Sequence, residues 1–467
     1  MARLIVVSNR VQAPDDAAAG SVGGLAMALA AALREHNGIW FGWSGRTVDE
    51  HTGQLSVQRV GGVTVATIDL EEQDRQEYYN GYANRTLWPL FHYRVDLSAY
   101  ERSYSEGYAR VNARFADALA PLIQPDDLVW VHDYHLMPLA EELRRRGIKN
   151  KIGFFLHIPW PARRLLATLP HHRDLVEALF AYDLLGFQTE DSASAFSDYV
   201  TGELGGTVGQ DGLARAFGRT ARIGAFPIGL DVESFEAAAR GEAAQAEFDR
   251  MQASLNGRAM IVGVDRLDYS KGLEERFLAY EQALQDHEDL REKVFLLQIA
   301  TPSREEVGAY QDIRARLDAV TGRINGAFAT VDWVPIRYVN RTYRRDELAG
   351  VYRAAAIGLV TPLRDGMNLV AKEYVAAQDP ENPGVLVLSE FAGASEQMDQ
   401  ALIVNPFNRE EVAEAIVRGL AMTRSERIER WSVLMDGLKR NDVTAWRDSF
   451  VAALEAGEQP GGRLAVV

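Results

Sequence analysis

The stretch Met260-Ile261-Val262-Gly263-Val264-Asp265-Arg266-Leu267-Asp268-Tyr269-Ser270-Lys271-Gly272 decides the fold. Its first five residues are apolar and do not alternate with polar ones, which is how a strand buried on both faces reads. A charged turn follows, and Gly272–Leu284 then takes up a helical period. The same unit recurs along the chain. Apolar runs lie at Leu4–Ser8, Leu128–Val131, Ile152–Leu156, Val294–Ile299, Ile357–Pro362, Val385–Leu388 and Leu402–Val404, with helix-period segments at Val111–Leu119, Leu369–Ala377 and Glu410–Leu420. Alternation of this kind predicts the α/β class, with doubly wound parallel sheets covered by helices. Two sheets fit better than one. The first set of strands ends near Ile223–Ile228, Ser234–Arg258 holds no strand-like run, and a new strand starts at Met260. The boundary is placed near Asp231, giving domains 1–231 and 232–450 in close contact.

The chain has 467 residues, 47% hydrophobic and 25% charged, enough for a large core without staples. It has no cysteine, which excludes disulfides, thiolate zinc sites, iron–sulfur clusters and cysteine nucleophiles together. The net charge of -16 works against non-specific binding to nucleic acid or to an anionic membrane. The apolar run after Met1 is too short for a signal peptide, and no stretch reaches 18 apolar residues. A cytoplasmic enzyme is expected, and self-association into a homo-oligomer is left open.

In doubly wound sheets, ligands sit beyond the carboxyl ends of the strands. The residues following the apolar runs are unusually polar: Asn9-Arg10, His132-Asp133, His157, Asp265-Arg266, Thr301–Arg304 and Arg364-Asp365. Six such positions from two sheets point to one shared cleft. Arg266 and Lys271, on a turn entering a helix, suit a pyrophosphate, to which the helix dipole adds. A solvated cluster with Asp265 and Asp268 explains the same residues equally well. Leu363-Arg364-Asp365-Gly366-Met367-Asn368 precedes the helix at Leu369, with Asn368 as N-cap and Glu373 one turn in. By itself Glu373 reads as an exposed helical glutamate. Ser303 and Glu306 form a capping box whose first turn holds Arg304, a cation that an anion there would satisfy.

Gly20-Ser21-Val22-Gly23-Gly24 lacks the Gly-x-Gly-x-x-Gly spacing, so a nicotinamide site is not indicated. The aromatic stretch with Tyr78-Tyr79-Asn80-Gly81 and Trp88-Pro89-Leu90-Phe91-His92 offers apolar faces beside hydrogen-bonding groups, which suits sugar rings. His157, alone after its strand, reads locally as a satisfied structural group. Gly-x-Ser-x-Gly, His-Glu-x-x-His and Asp-x-Asp are all absent.

Taken together, the segments resemble the trehalose-6-phosphate synthases of bacteria over nearly the whole chain. The resemblance rests on Val7-Ser8-Asn9-Arg10, Trp40-Phe41-Gly42-Trp43-Ser44-Gly45, Val131-His132-Asp133-Tyr134-His135, Phe155-Leu156-His157-Ile158-Pro159, Asp183–Thr189, Arg266–Gly272 and Thr361–Glu373, in order. It implies two Rossmann-like domains facing a cleft, the GT-B arrangement, with segment 451–467 returning to the first domain. It implies glucosyl transfer with retention from a nucleotide-glucose, UDP-glucose or GDP-glucose, to glucose 6-phosphate, without cofactor or metal. Arg266, Lys271, Gly23 and Gly24 would hold the diphosphate, and Tyr343 the base region. Leu369, Val370, Ala371, Lys372 and Glu373 would hold phosphate and ribose, with Glu373 on the ribose hydroxyls. His157 and Asp365 would grip hydroxyls of the donor glucose. Arg10, Tyr79, Asp133 and Arg304 would bind glucose 6-phosphate, with Trp88 near its ring.

Transfer to glycerol 3-phosphate or a cyclitol phosphate is the rival within the class. A silent sugar-phosphate sensor is the rival outside it, against which the set Arg10, Arg266, Lys271 and Asp365 argues. Two outcomes are expected. Exhaustive chelation leaves activity intact, and an absolute requirement for a divalent ion in the same assay would overturn the metal-free reading. Arg304→Ala raises the Michaelis constant for glucose 6-phosphate far more than that for the donor, as steady-state kinetics in both substrates would measure.

Overall fold

The apolar runs become the central strands of two sheets in the computed structural model, which describes residues 3–11, 29, 33, 38–60, 62–303 and 308–456. Gly23, Gly24, Arg304 and the capping box at Ser303–Glu306 fall wholly or partly outside that set. The chain forms two compact units, one of residues up to Ile228 and from Ala445 onward, the other Gly229–Thr444.

The first sheet has ten strands: β1 (Leu4–Arg10), β2 (Ile39–Val48), β3 (Ser56–Val60), β4 (Val63–Glu71), β5 (Leu128–His132), β6 (Ile152–Phe155), β7 (Leu184–Phe187), β8 (Thr207–Val208), β9 (Leu213–Ala216) and β10 (Arg219–Ala225). Their order is β3-β4-β2-β1-β5-β6-β7-β10-β9-β8. From β4 to β10 every pairing is parallel, and β5 and β6 are buried at every position. This sheet is mixed where a purely parallel one is expected. β3 pairs antiparallel with β4, and β8–β9–β10 form an antiparallel edge. The outermost strands, β3 and β8, face water, so their sequences carry no buried run to read.

The second sheet is parallel throughout: β11 (Ala259–Arg266), β12 (Val294–Thr301), β13 (Ile336–Val339), β14 (Ile357–Val360), β15 (Val385–Ser389) and β16 (Leu402–Val404). Its order, β13-β12-β11-β14-β15-β16, is the doubly wound 3-2-1-4-5-6. Helix Leu273–Asp286 follows β11 and buries Leu273, Phe277, Tyr280 and Leu284 against the sheet. In each sheet the order reverses beside the first strand, between β1 and β5 and between β11 and β14. Those two reversals are where the carboxyl ends splay and a ligand can enter.

The last described helix, Val443–Ala456, starts in the second unit and from Ala445 belongs to the first. Phe450 stacks on Trp130 at 4.5 Å and meets Phe155 and Phe226 edge-on at 5.8 and 5.1 Å. It fills the space left by two strand glycines. A methyl at Gly153 or Gly186 would come within 2.8 or 2.6 Å of its ring. No described helix is long and apolar enough to cross a membrane. Phe450→Ala should empty that slot and cost about 3–5 kcal/mol. The check is a urea midpoint followed by tryptophan fluorescence, with the slope unchanged.

Candidate active site

At the reversal of the second sheet, two loops are knitted together. Asp268 is fully buried, and its carboxylate accepts from Ser270 N at 2.9 Å and from the Tyr310 hydroxyl at 2.9 Å. The Ser270 carbonyl accepts from Leu363 N at 2.8 Å, so the turn after β11 is pinned to the turn after β14. Gly272 closes the first turn at φ +64, where a methyl would also meet the Thr361 carbonyl at 2.6 Å. Only glycine meets both demands without strain. The turn thereby presents Lys271, whose ammonium lies 2.5 Å from Asp365 Oδ2, with side chains 10% and 15% exposed. Asp365 Oδ2 also accepts from Asn368 Nδ2 at 3.0 Å. Arg266 ends β11 exposed.

Asn368 caps the Leu369–Ala377 helix as read, its side chain accepting from Ala371 N. Lys372 lies one turn into that helix. It is 1% exposed, donates to Gln397 Oε1 at 2.8 Å, and burial draws its ammonium down to about 7. Glu373 accepts from Arg345 Nε at 3.2 Å. Burial raises its carboxyl above the usual range, against which Arg345 pulls. Arg345 also lies over the Phe235 ring at 4.7 Å, and its Nη2 is buried without a hydrogen-bond partner. Tyr343 is half-buried under the Arg341 guanidinium, 4.4 Å from its ring centre.

At the reversal of the first sheet, Arg10 ends β1 exposed, with its guanidinium over Gly45, where a methyl would meet Nε at 2.5 Å. Asp133 follows β5 at φ 77 and ψ 165, and its Oδ1 accepts from His157 N at 3.2 Å. Tyr79 stacks on His135 at 5.8 Å and 13°, half-buried, from a π-helix spanning Arg75–Leu87. A π-helix of that length is rare and tends to mark functional segments. It turns Tyr78 inward, hydroxyl to Asn9 at 2.8 Å, and leaves its neighbour Tyr79 facing out. Trp88 is 4% exposed and tilted against His92 at 4.1 Å, so most of its ring is core.

His157 is held in a directed chain. Gln188 Oε1 accepts from Ile228 N at 3.0 Å, which turns the amide nitrogen toward His157 Nδ1 at 3.4 Å. Nδ1 therefore accepts, and the His157 proton sits on Nε2, which donates to His132 Nδ1 at 3.0 Å. Burial lowers His157 to about 3, and burial plus the facing His157 holds His132 well below its ordinary value, so both rings are neutral. The expected hydroxyl grip of His157 thus meets a ring with both nitrogens already engaged.

Sequence reading missed Asp265, Gln298 and Arg276 as a group. All three are buried, and Arg276 bonds to both of the others beneath the Lys271 turn. The available signal was Arg276 standing on the apolar stripe of its helix, between Leu273 and Tyr280. Among the described residues, no group of three or more His, Asp or Glu side chains is gathered as for a metal ion.

The profile of glycosyltransferase family 20 matches residues 3–456. The trehalose-6-phosphate synthase of Klebsiella pneumoniae is 49% identical over 455 residues, 97% of this chain and 95% of that protein. An α,α-trehalose-phosphate synthase (UDP-forming) of Burkholderia xenovorans, solved in complex with glucose-6-phosphate, is 51% identical with a TM-score of 0.91. That likeness covers 97% of this chain and 100% of the other. A structure from E. coli bound with UDP-2-fluoro glucose is 47% identical with a TM-score of 0.93, covering 97% and 99%. With the profile and these relatives running almost end to end, the chain belongs to glycosyltransferase family 20.

Proposed function

We propose that this glycosyltransferase moves glucose from UDP-glucose to glucose 6-phosphate with retention, giving α,α-trehalose 6-phosphate and UDP. The observation that carries the reading is the Lys271–Asp365 pair at the reversal of the second sheet, a cation and a carboxylate at one opening. The relatives bound to glucose-6-phosphate and to UDP-2-fluoro glucose support the same two ligand classes. The unit up to Ile228 offers Arg10, Tyr79 and Asp133 to the acceptor, with Trp88 as a wall, and Arg304 is the one acceptor residue that belongs to Gly229–Thr444. The unit Gly229–Thr444 takes the donor. Arg266 and Lys271, with Gly23 and Gly24, take the diphosphate, Leu369–Glu373 the phosphate and ribose, and Tyr343 the base. A cysteine-free chain suits a reducing, cytoplasmic compartment.

The chemistry follows from charge. The bond from the anomeric carbon to the diphosphate oxygen breaks, and negative charge grows on the leaving group. The acceptor hydroxyl attacks from the same face, and its proton passes to the departing phosphate oxygen. Without ligand, Lys271 and Asp365 satisfy each other. As the donor enters, Lys271 turns to the diphosphate and Asp365 accepts from glucose hydroxyls in its place. His157 Nδ1 is an acceptor whose 3.4 Å contact is the longer of its two, so a sugar hydroxyl can take the place of Gln188. Turnover with UDP-glucose and GDP-glucose in competition, against glucose 6-phosphate, glycerol 3-phosphate and a cyclitol phosphate, tests both substrates. Product from glucose 6-phosphate alone among acceptors is the supporting result.

Lys271→Ala should lower turnover roughly 10²-fold or more at saturating substrates, because its contact strengthens as charge leaves the sugar. Lys271→Arg should recover only part, since a planar fork does not place charge as an ammonium does. Steady-state kinetics with circular dichroism as folding control measures both. Near-normal turnover of Lys271→Ala would make that residue a mere partner of Asp365.

A further inference from the structure

Beneath the Lys271 turn lies a cation that the reaction as proposed does not use. Arg276 is 0% exposed in its side chain, in the helix that the turn begins. Its Nη1 donates to Asp265 Oδ2 at 2.5 Å and to Gln298 Oε1 at 2.8 Å. Its Nε donates to Thr361 Oγ1 at 3.0 Å, and its Nη2 reaches the Lys271 carbonyl at 3.4 Å. Those four acceptors belong to β11, β12, the residue after β14 and the turn itself. Gly263 makes the room. A methyl there would stand 2.6 Å from Arg276 Nη1 and 2.4 Å from Gln298 Oε1.

A plain core ion pair needs Asp265 alone and has no reason to reach a turn carbonyl. Burying a guanidinium is costly unless its donors are matched, and packed apolar side chains fill such space at least as well. This guanidinium instead joins the backbone of Lys271 to both loops that frame the opening. We infer that Arg276 is a positioning residue for glucosyl transfer, holding the Lys271 backbone and the Asp265 carboxylate so that the Lys271 ammonium is presented at the opening. It touches neither substrate and acts through Lys271. The inference rests on the reading that Lys271 contacts the donor diphosphate.

The test uses the full chain with Arg276→Lys and Thr361→Val, each made alone and in a Lys271→Ala background. Arg276→Lys keeps the charge but loses the planar fork, while Thr361→Val removes one acceptor without changing charge or volume much. The readouts are turnover, the Michaelis constants of donor and acceptor, and UDP affinity by calorimetry. Arg276→Lys should lower kcat/KM for the donor about tenfold, in keeping with the cost of a small misplacement of a catalytic group. The glucose 6-phosphate constant should stay unchanged, and Thr361→Val should move the donor values in the same direction by less. In the Lys271→Ala background the loss should shrink below about twofold, since nothing remains to be positioned. Equal losses in both backgrounds, or equal rises in both Michaelis constants, would make Arg276 a structural cation and overturn the inference. So would unchanged donor values in both variants. If Lys271→Ala by itself leaves UDP affinity and turnover intact, the diphosphate reading fails first, and Arg276 has nothing to position.

Discussion

A guanidinium and a carboxylate shut away from water set the terms for the second unit. Arg276 and Asp265 have side chains 0% and 2% exposed, and each would be strongly unfavourable alone. Burial pushes the Asp265 carboxyl above its ordinary range, and Arg276 and then Lys271 draw it back. To bury Arg276, the fold supplies acceptors from two strands, a strand end and a turn, and a glycine where the guanidinium passes. Meeting those demands fixes β11, β12 and the two loops against one another. The opening where Lys271 stands is therefore rigid because of what lies under it.

From that pair outward the charges alternate: Arg276, Asp265, Lys271, Asp365. Such an array is neutral as a whole, which suits a chain of net charge -16 that must still admit an anionic donor. The positive charge is local and already partnered; on the proposed reading, binding exchanges one partner for another rather than exposing a bare cation. The first unit solves a different problem. His132 is buried and His157 half-buried among aromatic rings, and both are kept neutral, with His157 at about 3. A ring that takes up a proton only near pH 3 is a poor base at neutral pH. That accords with the proposed passage of the acceptor's proton to the departing phosphate oxygen.

How much of this could be read beforehand follows from burial. β5, β6, β11, β14 and β15 are apolar on both faces, and their runs stand out in the sequence. β3 and β8 face water and leave no such trace. β2 opens Ile39-Trp40-Phe41-Gly42-Trp43, which reads as a motif before it reads as a strand. Lys271, Asp365 and Asn368 were legible because a charge or a cap directly after a strand has a local meaning. Arg276 was not, because its partners lie 11, 22 and 85 residues away. Lys372 was legible as part of the helix start, but not as a buried ammonium turned to Gln397. Helical phase alone does not say which neighbour a long side chain finds.

The backbone also carries a cost, at one residue after β5 and one in the loop after β14. Asp133 follows the strand beside the first reversal at φ 77 and ψ 165, a region nearly confined to glycine and costing about 1–3 kcal/mol for other residues. Asn368, in the loop after the strand beside the second reversal, sits at φ 74 and ψ 85. Glycine would hold either conformation without strain, so the side chains must return something. Asp133 Oδ1 receives His157 N, joining the end of β5 to the end of β6. Asn368 Oδ1 accepts from Ala371 N and its Nδ2 donates a hydrogen bond to Asp365, joining a helix start to the carboxylate beside Lys271. Asp and Asn are the residues best able to do both, since a short polar side chain bonds locally and tolerates positive φ better than the other side chains. At each reversal, then, a strained residue with an oxygen at Cγ sets the angle at which the neighbouring functional group meets the opening. Replacing it with glycine would relax the chain and lose the aim.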